Sequence, residues 1–227
     1  MAQNEEVEVE KPVTEKTTRP YGTLLLFLFW GVLLAAVYYW MLPGKTAVPP
    51  ELQAVLRATP KPLQAFELTD QYRKPFTLER LKGKWSFVFF GYTYCPDICP
   101  TTLSTLTRVE KQLQTGTQAP SNILVVFVSV DPQRDTPDVL KRYLKYFNKG
   151  FVGVTGTQQD IDNLTRQFGG SSVKEPETAS GEYLVSHTSS VFLVDPYGQL
   201  VAAFSPPHDP DTIVEQFRHI RSLLPLI

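Results

Sequence analysis

Only two cysteines, Cys95 and Cys99, occur among the 227 residues, and three residues separate them. A disulfide-stapled scaffold needs more cysteines spread further apart, so this pair marks a local site rather than a framework. Long runs of lysine or arginine are missing too, and the formal net charge is −1. That excludes the basic stripe expected of a nucleic-acid-binding surface. There is no internal repeat and no Cys-x-x-Cys redox motif. Methionine is confined to Met1 and Met41, so a sulfur ligand further along the chain must come from cysteine. Hydrophobic residues at 42% and charged residues at 20% fit a folded chain. The length allows one globular domain with appendages.

Charge is also absent from residues 20–44, which Arg19 and Lys45 bracket. The run from Leu24 to Val37 is almost wholly apolar, and Tyr38, Tyr39 and Trp40 follow it. About 20 apolar helical residues span a bilayer core, and aromatic rings favour its interface. The predicted organisation is therefore a polar tail over 1–20, a transmembrane anchor over 21–42, a proline-containing tether over 43–62 and a domain over 63–227. A cleaved signal peptide would have a shorter apolar region and a small-residue cleavage site, which is not found. A single N-terminal anchor before a large domain usually exports that domain. The tail carries Glu5, Glu6, Glu8, Glu10 and Glu15. Mitochondrial presequences are poor in acids, so a bacterial inner membrane is expected rather than a mitochondrial one, with the domain in the periplasm.

Beyond residue 63 strand and helix patterns alternate. The continuous apolar runs 85–90 and 122–130 predict strands covered on both faces. Helices are predicted over about 101–113, 137–147, 158–168 and 210–224. Thr136 caps the second of these, with Pro137 at its first position. A short strand is expected at 151–154, an exposed insertion at 169–181, and a hairpin around Pro196–Gln199. Together these predict an α/β fold: a three-layer α/β/α domain, thioredoxin-like because the cysteines fall between a buried strand and a helix. A peroxidase of this fold would carry Pro-x-x-x-Thr-x-x-Cys and a proximal arginine; neither precedes Cys95.

Residues at i and i+4 share a helix face, so Cys95 and Cys99 can close a disulfide or grip one metal ion together. A helix N-terminus favours thiolate over thiol. Paired thiolates are soft ligands preferred by Cu(I), although Zn(II) also accepts them. A disulfide closing so small a loop constrains little chain entropy, so stabilisation is a weak reason for the pair. Two sulfurs leave such an ion under-coordinated. Of the three histidines, His187 sits before a predicted strand at a sheet edge, His208 reads as an exposed turn residue and His219 as surface. Asp135 reads as the start of a helix, while Asp131 is open between a structural role and support of the site. Pro96 and Asp97 shape the cysteine loop, and Tyr92 and Tyr94 pack around it.

Four blocks in order resemble the Sco/SenC family of copper proteins. They are Phe90-Gly91 through Cys95-Pro96-Asp97-Ile98-Cys99-Pro100; Val128-Ser129-Val130-Asp131-Pro132-Gln133-Arg134-Asp135-Thr136-Pro137; Gly153-Val154-Thr155-Gly156; and Tyr183-Leu184-Val185-Ser186-His187. The resemblance implies a thioredoxin fold, a membrane anchor, and copper, as Cu(I) or Cu(II), bound by Cys95, Cys99 and His187. It also implies copper delivery to the dinuclear copper centre of cytochrome oxidase subunit II, or reduction of that subunit's cysteines by the Cys95–Cys99 redox pair. Other copper chaperones or thiol reductants would be further partners, and a copper or redox sensor role stays open. One departure is Ser186, where the family commonly has an acid before the histidine.

Overall fold

The computed structural model describes residues 21–41, 50–115 and 122–224, and it divides into two units, 1–47 and 48–227. The predicted tail over 1–20 and the first residues of the predicted tether, 43–49, lie outside the described residues. In the first unit, α1 (Tyr21–Met41) is a 21-residue helix without a charged residue. Its side chains at Tyr21, Thr23, Trp40 and Met41 lie outside the described residues. Among the described residues no helix is long and apolar enough to cross a membrane.

The second unit begins with a correction. Residues 50–62, expected as tether, form a short 3-10 turn at Pro50–Leu52 and then β1 (Leu56–Pro62), which pairs with a later strand. The sequence hid it because Pro60 and Pro62 read as breakers. Proline is tolerated on an edge strand, where one side needs no ladder, and the β1 register shifts between Leu56 and Lys61. There follow β2 (Glu67–Asp70), β3 (Pro75–Thr77), β4 (Trp85–Gly91), α2 (Ile98–Gln114), β5 (Ile123–Ser129), α3 (Pro137–Lys145), β6 (Val152–Thr155) and α4 (Gln158–Gln167). The chain continues through β7 (Ser172–Lys174), β8 (Val185–His187), β9 (Val191–Val194), β10 (Gln199–Phe204) and α5 (Pro210–Leu223). Residues 169–181, expected as an exposed insertion, therefore contribute a strand. Its three residues are too short to show a period.

Eight strands form one sheet in the order β1-β10-β9-β4-β5-β6-β2-β3. Parallel pairs β4–β5 and β5–β6 occupy its centre. Every residue of β4 is buried, so the expected continuous apolar run is a two-faced central strand. Alternation sorts it: Phe87 and Phe89 pack with α2, α3 and α5, whereas Val88 and Phe90 pack with α4. Burial of each such phenylalanine stabilises the fold by about 1.5–3 kcal/mol, so β4 anchors both layers. This is the predicted three-layer arrangement. β7 and β8 pair only with each other, in a separate antiparallel ribbon.

Candidate metal centre

The site lies where parallel strands β4 and β5 end side by side, at Gly91 and Ser129. Ligands of open α/β sheets sit at such carboxyl ends. The chain leaves β4 at Gly91, turns through Tyr92–Asp97 and enters α2, so Cys95 lies in the turn and Cys99 in the first helical turn. Asp97, at the cap position, makes no side-chain cap bond. Instead the Cys99 amide N–H points at the Cys95 sulfur, at 3.5 Å. The sulfur thus takes a helix N-terminal donor that needs a partner, which favours its anionic form.

Neither cysteine is in a disulfide; Cys95 is half-buried and Cys99 wholly buried. The Cys99 thiol donates to the Cys95 sulfur. That bond lowers the Cys95 pKa to about 5; burial opposes it, and the amides of Cys99 and Asp97 assist. The same bond holds the proton on Cys99 and, with burial, pushes that thiol far up. The pair is therefore a thiolate at Cys95 and a thiol at Cys99.

His187 ends β8 and brings Nε2 to 3.6 Å from the Cys99 sulfur. Its Nδ1 lies 3.1 Å from the Thr188 carbonyl. A carbonyl can only accept, so Nδ1 carries the hydrogen and Nε2 presents its lone pair to the sulfurs. The three donor atoms all lie within 4.8 Å of one another. With metal–sulfur bonds near 2.3 Å and metal–nitrogen bonds near 2.0 Å, a trigonal ion separates its donors by about 3.7–4.0 Å. The arrangement fits two soft sulfurs and one imidazole around a single ion, once Cys99 gives up its proton.

The residues around these donors differ in part from expectation. Asp135 is wholly buried and does more than start α3. Its carboxylate accepts from the Thr93 amide at 2.9 Å, the Thr93 hydroxyl at 2.6 Å and the Ser129 hydroxyl at 2.7 Å. It therefore ties the cysteine turn to the end of β5, and burial raises its pKa against those bonds. Asp131, left open from sequence, pairs with Arg134 and accepts from the Tyr183 phenol at 3.0 Å. Arg134 carried no assigned role, although it stands inside the second sequence block. His208 is not an exposed turn residue. It is half-buried, with Nδ1 3.3 Å from the Thr102 hydroxyl and Nε2 3.1 Å from the Phe204 carbonyl, and burial lowers its pKa. Turn-rich sequence around it gave no sign that β10 and α2 close over the ring. His219, read as surface, is half-buried, its Nδ1 3.8 Å from a Glu51 carboxylate oxygen, and neither histidine joins the donor set. The departure at Ser186 has a local answer, because its hydroxyl donates at 2.6 Å to Glu175 across the ribbon. A carboxylate thus still stands beside the residue preceding His187.

A family model described as SCO1/SenC matches residues 56–222, almost the whole of the second unit. The chain belongs to the SCO1/SenC family. Among curated relatives, the mitochondrial protein SCO2 of Saccharomyces cerevisiae is 39% identical over 154 residues, covering 67% of this chain and half of that protein. Among solved structures, yeast Sco1 with copper bound matches at a TM-score of 0.66 and 32% identity, over 74% of this chain and 91% of that one. BsSco, described as a member of the Sco family of cytochrome c oxidase assembly proteins and as holding a disulfide switch, matches at 0.59 and 27%, over 74% and 98%. The SCO1/SenC match spans all three donor residues of this chain and the strand at 56–62 that the sequence reading assigned to the tether.

Proposed function

We propose that this Sco/SenC chain is a copper metallochaperone. It takes one copper ion on Cys95, Cys99 and His187 and passes it by ligand exchange to the dinuclear copper centre of cytochrome oxidase subunit II. The observation that carries the copper reading is the convergence of two sulfurs and a correctly protonated imidazole within 4.8 Å. Two thiolates favour Cu(I), and the imidazole also accommodates Cu(II). The copper-bound yeast relative supports the choice of metal. Cargo must leave as well as arrive, and the half-exposed Cys95 offers an incoming ligand a way to the ion. Helix α1 holds the domain on the outer face of a bacterial inner membrane in this reading. Its support is the sequence: residues 20–44 carry no charge, and the run from Leu24 to Val37 is almost wholly apolar.

A second reading is favoured by the unequal thiols. The Cys95 thiolate attacks a disulfide sulfur of subunit II, forming a mixed disulfide and releasing one partner thiolate. Cys99, once deprotonated, attacks the Cys95 sulfur and releases the second. Two electrons pass: the partner becomes a dithiol and this chain a Cys95–Cys99 disulfide. The BsSco structure, with its disulfide switch, supports such chemistry on this scaffold.

The test loads reduced chain anaerobically with Cu(I) and measures stoichiometry for wild type, Cys95→Ser and His187→Ala. One copper per chain is expected, lost in Cys95→Ser and held less tightly in His187→Ala, whose Cys95–Cys99 disulfide remains reducible. Copper held equally by His187→Ala would end the three-ligand proposal. No tight copper in wild type, with a readily cycled disulfide, would select the reductase.

A further inference from the structure

The ribbon that carries His187 forms no ladder with the eight-stranded sheet. Something other than strand pairing must aim its imidazole at the cysteines. Buried Val185 packs it against the core, and the Val185 backbone reaches the Tyr92 phenol. The imidazole itself meets the rings of Phe89 and Tyr92 edge-on, at 6.1 and 5.9 Å between centroids, and a further tie is Arg134, on the loop after β5. Its Nε pairs with Asp131, and its Nη1 donates to the Tyr183 carbonyl at 3.0 Å, four residues before His187. Its guanidinium carbon lies 3.6 Å from the centre of the Tyr183 ring, whose hydroxyl returns to Asp131. The same group faces the rings of Tyr94 at 4.8 Å and Tyr92 at 5.6 Å, both in the cysteine turn. Its Nη2 is buried and, among the described residues, finds no acceptor. Aromatic faces are what remain to receive that edge of the cation.

One planar group thus grips three segments: the β5 loop by an ion pair, the ribbon by hydrogen bond and stacking, and the cysteine turn by two rings. We propose that Arg134 is a positioning residue that clamps the β7–β8 ribbon to the cysteine turn and so sets the reach of His187 to the copper site. It touches neither metal nor sulfur and acts through Tyr183. Arginine is required because a lysine ammonium would keep the charge opposite Asp131 but could not stack flat and bridge to the Tyr183 carbonyl. The inference rests on the copper-binding reading for its effect on affinity, though not for its effect on the ribbon.

A double-mutant cycle tests it. Arg134→Lys retains a cation for Asp131 and so guards the fold; Arg134→Met removes it. Cu(I) affinity is measured by competition with a chromogenic chelator in the wild-type and His187→Ala backgrounds. Each Arg134 variant is expected to weaken copper about 10-fold in the wild-type background, in the range of supporting residues around metal sites, and to add under about twofold once His187 is gone. Equal losses in both backgrounds would mean that Arg134 acts on the cysteines or the fold, and would overturn the proposal. So would undiminished affinity in the presence of His187. Metal-free protein supplies the second readout. Amide hydrogen exchange at Val185 and His187 should rise several-fold in Arg134→Lys while Phe89 and Phe127 stay protected; an unchanged ribbon refutes the clamp. If wild type itself binds no copper, the functional reading fails, and the exchange measurement still decides Arg134.

Discussion

Replacing Gly91 by alanine probes the link between core packing and the metal centre. Gly91 ends β4 beneath the site, and a Cβ there would stand 2.7 Å from the Cys99 sulfur, 2.8 Å from Cε2 of Phe127 and 3.2 Å from Cε1 of Phe89. The glycine has no positive φ, so alanine suits the backbone and the conflict is purely one of space. Phe127, Phe89 and Cys99 are all wholly buried, and the Cys99 sulfur, nearest to the new Cβ, must shift. Overpacking of this kind costs about 1–3 kcal/mol. Loss of unfolded-state freedom returns about 0.4–1 kcal/mol, so a net loss of about 1–2 kcal/mol is expected. For a domain of this size that lowers Tm by about 2–8 °C. Gly153→Ala is the control: its Cβ would meet Leu144 at 2.6 Å and Leu140 at 3.2 Å, in the core and away from the cysteines. Thermal melts followed by circular dichroism should show both variants destabilised, whereas Cu(I) competition should show weakened binding in Gly91→Ala alone. Equal copper affinity for Gly91→Ala and wild type would refute the claim that this glycine makes room for the Cys99 sulfur.

Two further predictions concern pH. Because the Cys95 pKa is lowered to about 5, its alkylation by iodoacetamide in reduced, metal-free chain should be nearly flat from about pH 6.5 to 8. An ordinary thiol, near 8.5, would gain almost tenfold per pH unit there. Cys99→Ala removes the donor to that sulfur and should shift the profile upward; an unmoved profile would show that Cys99 is not the cause. His208 is held neutral by burial, against the pull of the Phe204 carbonyl, so its folded pKa lies below the unfolded value of about 6.5. The unfolded chain then takes the proton first. Stability is fully present above about pH 6.5 and is lost as pH falls through the folded pKa. Denaturant midpoints between about pH 7 and 5 should therefore slope less in His208→Gln than in wild type, and parallel slopes would exclude His208 as their source.

Much of the fold was legible because its signals are local. The runs 85–90 and 122–130 exclude water on both sides of a strand by composition alone, and Thr136-Pro137 starts a helix through a cap and a missing donor, each confined to a few residues. The same locality concealed β1. Pro60 and Pro62 are breakers in isolation, and only pairing with β10 shows that the edge needs no donors from them. β7 failed for a similar reason, since three residues become a strand only because β8 lies beside them.

The candidate site divides along the same line. Cys95 and Cys99 were legible from spacing, and His187 was singled out by its place before a strand and then by resemblance to a family. Sequence by itself determined the donor types, their order and the strand–turn–helix that presents the sulfurs, because four residues of helix suffice for that. Tertiary structure decided the rest. It brought His187 across 88 residues to the Cys99 sulfur, gave Cys95 the thiolate and Cys99 the proton, buried Asp135 under the cysteine turn, and placed Arg134 on Tyr183. Those outcomes depend on distance, burial and hydrogen-bond direction between segments remote in the chain. No local pattern encodes them until the sheet and the ribbon have come together.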